Sequence, residues 1–571
     1  MNFIQDLEKA KYFQNQRLFQ DALKIYKNII AKDKNNFEAN IGLAITYFLT
    51  NQVLESIKIL KNLISIYPKK IESYYNYANI LISQNKFDEA IEILLQAYKI
   101  DNKNIKILEN ITYLYLQSKN SSKAKKFAKL AIDIDNKNYF IYNIFGQIYF
   151  SENNIEKSVN NFKLSIQNNN LFWPAYDNLL TLYEQVNDLE QLNTILVQAK
   201  KLFGETTNLV RIKYFQALLF FRNNDFVSSL NLLEGIKDEI KNRNIKHQQY
   251  YYDLLGKNYD KLKKYNQAFN SFTIRNDKIL NLETNQRFDK NTLIDLIKVY
   301  ENYFVKKNIQ KYNFIKIKDE FIDPIFLIGF PRSGTTLLDT ILRSHSKTIV
   351  LEEKPYISNI RDEFFKLNNN LISSLENINS NQINNIRQNY FNNIGVPNKS
   401  FSSNIIIDKL PLNIIEIGFI KRIFPNSKFI LMMRHPCDCV LSCFITDFSI
   451  NEAMIHFLNI NDTVNFYSSV FKLWQHLKKN LDIKFHMVKY EELINDFDKT
   501  INYLLKFLEI EWEETLKDFN QTALKRQRIN TPSYDQVIRP LNTDSIDRWK
   551  NYEEMHKIKN KLDEWIKHFN Y

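Results

Sequence analysis

Small side chains recur every 34 residues through the first half of this chain, and few folds accept that pattern. One series runs Ala10, Ala44, Ala78, Thr112 and Gly146, with Tyr47, Leu81, Tyr115 and Tyr149 three positions after its later members. A second runs Ala22, Ser56, Ala90, Ala124 and Ser158, followed four residues on by Tyr26, Leu60, Leu94, Ala128 and Phe162. Pro68, Asn102, Asn136 and Asn170 close the units. Two helices cross closely only where a small residue lets their backbones approach, and a larger neighbour fills the groove beside it. One such unit cannot bury its apolar face alone, so the units must stack into a solenoid. With nine Gly and eleven Pro in 571 residues, helix breakers are scarce, which fits.

This register resembles the tetratricopeptide repeat, a helix-turn-helix unit. A sixth unit begins near Trp173, and weaker pairs follow around Ala217 and Ser229 and around Gly256, Tyr259, Ala268 and Phe272. The array is therefore expected over 1–276. Helical periodicity in Leu293, Leu296, Ile297 and Tyr300 predicts a helical cap and connector over 277–323. The resemblance implies a concave surface for extended peptides or partner proteins. An array that only scaffolds the second half is the alternative.

The formal charge of +13 reads as a lysine-rich solvated surface or as attraction to an anionic substrate. No motif points to nucleic acid. The N-terminus carries Asp6, Glu8 and Lys9 with no apolar segment, unlike a signal peptide, and no apolar run approaches the roughly 18 residues of a membrane helix. A cytoplasmic location is expected. Cys437, Cys439 and Cys443 are the three cysteines, clustered in one segment with neither disulfide nor zinc-site spacing.

From Pro324 the pattern changes to short apolar runs alternating with helical stretches, which predicts an α/β domain with a parallel sheet over 324–571. Its first motif is Phe326-Leu-Ile-Gly-Phe-Pro-Arg-Ser-Gly-Thr-Thr-Leu-Leu338: strand, glycine loop, helix. Loop and helix N–H groups in that arrangement cradle an anion. The spacing from Gly329 to Gly334 matches a Walker loop, but Thr335 stands where a nucleotidase carries Lys, and the cation sits inside the loop as Arg332. Further strands at 348–351, 404–408, 428–433 and 484–488 each end on polar clusters: Glu352-Glu353, Lys409, Arg434-His435 and Lys489-Tyr490-Glu491-Glu492. Open parallel sheets bind ligands along that edge.

The loop resembles the 5′-phosphosulfate loop of sulfotransferases, which use 3′-phosphoadenosine 5′-phosphosulfate (PAPS). The order of the later clusters, Asp408-Lys409-Leu-Pro411, then Arg434-His-Pro436, then Ser442, is similar to the second signature of that family. Thr531-Pro-Ser533 through Asn542 with Arg548-Trp549 resembles the nucleotide-covering segment of protein-tyrosine sulfotransferases and of bacterial relatives with tetratricopeptide arrays. The resemblance implies a donor cradle of Pro331, Arg332, Ser333, Gly334, Thr335 and Thr336. It implies Arg434 and Ser442 on the 3′-phosphate, and Tyr490, Ser533 and Arg548 near the nucleotide. A Lys is usual in the family where Arg548 stands. The second Arg that animal tyrosine enzymes carry after the 3′-phosphate Ser is absent, with Phe444-Ile-Thr446 in its place. This departure touches acceptor specificity, not the donor.

The family's general base corresponds to a carboxylate after the second strand. Glu353 fits better than Glu352, because Pro355 follows it; both stay open. Arg332 and Lys409 are the expected charge stabilisers. His345 and His435 read as packed side chains. The expectation is a PAPS-dependent sulfotransferase without a metal, acting on a hydroxyl, with a peptide or protein tyrosine as the leading acceptor. Sugars, lipids and small phenols stay open. The rivals are a kinase-like nucleotide-binding enzyme and a catalytically silent tetratricopeptide interaction protein.

Overall fold

The computed structural model describes residues 3–206, 208–282, 288–309, 321–366, 375–376, 378–395, 404–525 and 540–571. Contacts divide the chain into two compact units, Met1–Leu219 and Phe220–Tyr571.

The first unit is a run of helical hairpins, from Ile4–Asn15 with Phe19–Lys32 to Trp173–Gln185 with Leu189–Phe203. The small residues do what their spacing predicts. A Cβ on Gly146 would meet the Phe162 ring at 2.4 Å, so the ring needs the bare backbone. Ser56 donates to the Ala44 carbonyl at 2.6 Å and Ser158 to the Gly146 carbonyl at 2.7 Å, tying the two helices of a hairpin at equivalent places. The turns inside the hairpins also keep the period. Arg17, Asn51, Asn85, Lys119, Asn153 and Asn187 all adopt left-handed backbone with φ between 56 and 63°. Asn tolerates that conformation better than most residues. Asn36, Asn104, Asn138 and Asn154 each cap a helix N-terminus through the side chain. These asparagines therefore have a structural use.

The second unit opens with helical pairs and continues into the sheet. Its elements include α1 (Ile245–Lys261), α2 (Tyr265–Leu280), α3 (Asn291–Tyr303), β1 (Ile325–Gly329), α4 (Thr335–Arg343), β2 (Thr348–Leu351), α5 (Tyr356–Lys366) and α6 (Ser380–Asn393). Then come β3 (Ile405–Lys409), α7 (Ile417–Ile423), β4 (Lys428–Met433), α8 (Pro436–Ile445), α9 (Ile460–Asn480) and β5 (Lys484–Lys489). Periodicity carries the repeat pattern to 276, whereas compactness groups α1 and α2 with the sheet.

The sheet order is β2-β3-β1-β4-β5, and every neighbouring pair is parallel. Side chains alternate between two cores, as strand geometry requires. Phe326 and Ile328 join the core containing α7 and α9, while Ile325 and Leu327 join Leu337, Leu338, Ile341 and Leu342 of α4. Helix α3 packs on α9, and Tyr300 donates to Glu416 at 2.9 Å. The chain runs to one side of β1 for β2 and β3 and to the other for β4 and β5. The C-terminal end of β1 thus lies where the winding reverses, the usual ligand crevice of such sheets. No helix of the described residues is long and apolar enough to cross a membrane.

Candidate active site

The loop after β1 is built around close approach. A Cβ on Gly329 would meet the Met432 carbonyl oxygen at 2.5 Å. Gly334 has φ 107°, and a Cβ there would meet the Tyr490 ring at 2.7 Å. Phe330 is buried among Phe457, Phe466 and Tyr467 and anchors the loop from below. Ser333, Thr335 and Thr336 are buried, and the Ser333 hydroxyl has no hydrogen-bond partner among the described residues. Gly334 offers no side chain to cap α4, so the helix's first N–H groups are the ones the fold leaves for an anion. Pro331 accepts from the Cys443 thiol at 3.2 Å, locking loop to α8.

Arginines gather beside this loop. Arg332 donates through Nε to the Ser442 hydroxyl at 3.1 Å. Arg434 donates through Nη1 to the Arg332 carbonyl at 3.1 Å and through Nη2 to the Ser545 carbonyl. Its guanidinium lies 5.2 Å from the centre of the Tyr490 ring, and its buried Nε has no hydrogen-bond partner among the described residues. Burial, and then the positive charges of Arg434 and Arg548, pull the Arg332 guanidinium down to about 10. Such a desolvated cluster of like charges suits an anionic ligand.

On the other side of the loop stands a carboxylate–ammonium chain. Lys409, 2% exposed, donates to Glu353 Oε1 at 2.7 Å and lies 3.2 Å from Asp339 Oδ2. Glu353 keeps 32% of its side chain exposed, so it reaches solvent while paired. Asp408, one residue before Lys409, points to the opposite face of the sheet, where it accepts from Tyr390 at 2.8 Å.

The structure thus brings together Pro331, Arg332, Ser333, Gly334, Thr335, Thr336, Arg434, Ser442 and Tyr490, with Lys409 and Glu353 adjoining. Arg548, whose charge helps lower the Arg332 guanidinium, pairs with Asp260 at 2.8 Å. Ser533 and the segment 526–539 lie outside the described residues. His345 and His435 are framework: His345 bonds the Glu511 carbonyl at 2.8 Å, and His435 caps α8 and stacks on Trp549. Burial pushes His435 down to about 4. Burial also raises all three thiols of α8. Among the described residues no group of three or more His, Cys, Asp or Glu is arranged to hold a metal ion.

Several contributors carried no sequence signal of their own. Asp339 lies on α4, fully buried under Lys409. Asp438 accepts from the N–H groups of Asp547 and Trp549 at 2.8 and 2.9 Å and so docks the turn bearing Arg548. Glu491, already marked by its place in the polar cluster after β5, accepts from His435 N at 2.8 Å and holds the end of β4.

A family model described as "Sulfotransferase family" matches residues 324–514. This region is a sulfotransferase-family domain. It follows a tetratricopeptide-like repeat region, and a second family model, "Anaphase-promoting complex, cyclosome, subunit 3", matches 15–97. A curated "Uncharacterized protein" of Aquifex aeolicus (strain VF5) is 24% identical over 253 residues, covering 40% of this chain and 31% of the relative. The chain thus spans about a third of the length of that relative. Among solved structures, a tetratricopeptide repeat protein from Parabacteroides merdae ATCC 43184 is similar at 14% identity, covering 44% of this chain and 97% of that one, with a TM-score of 0.37. MamA is similar at 20% identity, covering 28% of this chain and 93% of that one, with a TM-score of 0.26.

Proposed function

We propose that the sheet-bearing unit transfers the sulfuryl group of PAPS to a hydroxyl acceptor. The observation that carries this reading is the convergence of Arg332, Arg434 and Ser442 at the loop after β1, beside the Lys409–Glu353 pair. The donor is a polyanion, and the site supplies guanidinium forks, hydroxyls and helix N–H groups, the donor set that suits phosphate and sulfate oxygens. The orphaned Ser333 hydroxyl and Arg434 Nε add two further buried groups that a ligand could satisfy.

In this reading Arg332, Ser333, Gly334, Thr335 and Thr336 hold the 5′-phosphosulfate, with Pro331 shaping the loop. Arg434 and Ser442 hold the 3′-phosphate, and Tyr490, Ser533 and Arg548 flank the nucleotide. Glu353 takes the acceptor's proton as the acceptor oxygen bonds to sulfur. The bond from sulfur to the phosphate oxygen breaks, and 3′,5′-adenosine bisphosphate leaves with the electron pair. Lys409 and Arg332 neutralise the charge growing on the bridging oxygen. Asp339 and Glu353 hold the Lys409 ammonium from two sides, so little reorganisation is needed when that charge appears. A tyrosine in a peptide or protein is the acceptor we favour, with the helical repeats recruiting it.

Binding separates this reading from a kinase-like one. Titration calorimetry should show 3′,5′-adenosine bisphosphate binding without added Mg²⁺ and ATP binding more weakly with or without it. Preference for ATP with Mg²⁺ would overturn the proposal in favour of phosphoryl transfer.

A further inference from the structure

Helix α8 runs from Pro436, beside Arg434, to Ile445, and carries Ser442. The last four carbonyls of any helix lack intrahelical partners. Here each has a known acceptance. Ser442 O accepts from the Thr446 hydroxyl at 2.6 Å and Cys443 O from Thr446 N at 3.4 Å. Phe444 O and Ile445 O are held from α2. Arg275 donates to Phe444 O through Nη2 and to Ile445 O through Nη1, both at 3.0 Å. Its Nη2 also reaches Thr446 O at 3.4 Å, and Asn276 Nδ2 donates to Phe444 O at 3.1 Å.

This cap is itself fixed. Arg275 is fully buried and pairs with Asp253 of α1 at 2.6 Å. Its Nε and Nη2 donate to Asn276 Oδ1 at 3.1 and 2.9 Å. Phe269 stacks on Phe444 at 4.8 Å, and Gln249 donates to both oxygens of Asp447 at 2.8 and 3.0 Å. The same helix pair grips the site's other flank: Asp260 pairs with Arg548 and accepts from the Tyr552 hydroxyl. A buried guanidinium aimed at helix-end carbonyls favours the dipole and fixes the helix along its axis. Ser442 lies two residues before the first carbonyl so held.

We propose that α1 and α2, in sequence the tail of the repeats, are part of the frame of the nucleotide site, and that Arg275 is a positioning residue for Ser442. The inference rests on the donor assignment above. Its consequence is specific: Arg275 and Asn276 set affinity for a 3′-phosphate more than for the 5′ side, which meets α8 through the Ser442–Arg332 and Cys443–Pro331 contacts.

The test compares the dissociation constants of 3′,5′-adenosine bisphosphate and 5′-AMP for the full chain, for Arg275→Lys and for Asn276→Ala, each with its melting temperature. Lys reaches fewer carbonyls than the guanidinium fork. In a variant that melts cooperatively, the preference for bisphosphate over 5′-AMP should shrink roughly 3- to 30-fold, with 5′-AMP affinity falling much less than that of the bisphosphate. A merely structural role would weaken both nucleotides equally or change only the melting temperature, and either result overturns the proposal. Hydrogen exchange on the unaltered protein decides the matter if neither variant folds. Bisphosphate, unlike 5′-AMP, should then slow exchange in 265–280 as well as in 436–446, and protection confined to the loop and α8 contradicts it. If the unaltered protein shows no preference for the bisphosphate, the donor assignment itself fails, a result separate from an unchanged preference in the variants.

Discussion

Arg332 stands in left-handed backbone, φ 69°, where glycine would be relaxed and an arginine costs about 1 kcal/mol or more. The fold keeps the charged side chain there, against Ser442, and lets Arg434 support its carbonyl. That support shapes one prediction. Arg434→Ala should weaken 3′,5′-adenosine bisphosphate roughly ten- to a hundredfold, by loss of charge-assisted bonds to the 3′-phosphate. Plain 5′-AMP should lose less, only what the loop carbonyl's support contributes, and equal losses in calorimetry would remove Arg434 from the 3′ side. A second concerns the proton. Glu353→Gln keeps the shape but cannot accept it, so turnover should fall by about 10² to 10⁴ while bisphosphate affinity holds. If Glu352→Gln is the inactive variant instead, the base is the neighbouring carboxylate.

Asp408 and Lys409 show how one strand serves two layers. Lys409 faces the loop, whereas Asp408 is buried with Tyr390 on the far side, and burial raises its carboxyl to about 7. A carboxyl raised on folding is protonated in the native state where the unfolded chain has already ionised. Its contribution is therefore full below the ordinary Asp range near 4 and lost as pH rises through about 7. Asp408→Asn should gain stability relative to the parent across that interval, read as a widening difference in melting temperature from about pH 4 to 7. A constant difference would mean that Asp408 stays ionised throughout. The strands themselves were legible in the sequence because each is a short apolar run ending abruptly on charge, as in Lys428–Met433 before Arg434. The hairpins were legible because small residues must recur where helices touch. Their left-handed turns were harder to see, since Arg17 and Lys119 interrupt the asparagine series. Asp260, Arg275 and Asp339 had no local pattern to betray them. Arg275 meets Phe444 across 169 residues of chain, and nothing in either neighbourhood encodes the other.

The whole molecule joins a repeat unit, Met1–Leu219, to a sheet-bearing unit that already includes helices from the end of the repeats. Where the chain is cut should then matter. A chain begun at Leu209, at the start of its helix, retains α1 and α2 and should bind the bisphosphate like the intact protein. One begun at Lys278 loses Asp253, Asp260, Arg275 and Asn276 together and should bind it poorly or fail to fold, as melting and calorimetry would show. If the repeats recruit the acceptor, the Leu209 chain should also show a raised KM for a macromolecular acceptor, since tethering strengthens capture by roughly 10² to 10⁴. Its turnover of any accepted small phenol should persist. Sulfuryl transfer itself is read by incubating the intact protein with PAPS labelled in its sulfate and a cell lysate. Sulfuryl transfer by this site predicts that label appears covalently on a hydroxyl-bearing species and that the labelling is lost with Glu353→Gln. Labelling that survives Glu353→Gln and Glu352→Gln undiminished, or label that never leaves PAPS although the nucleotide is bound, would contradict it.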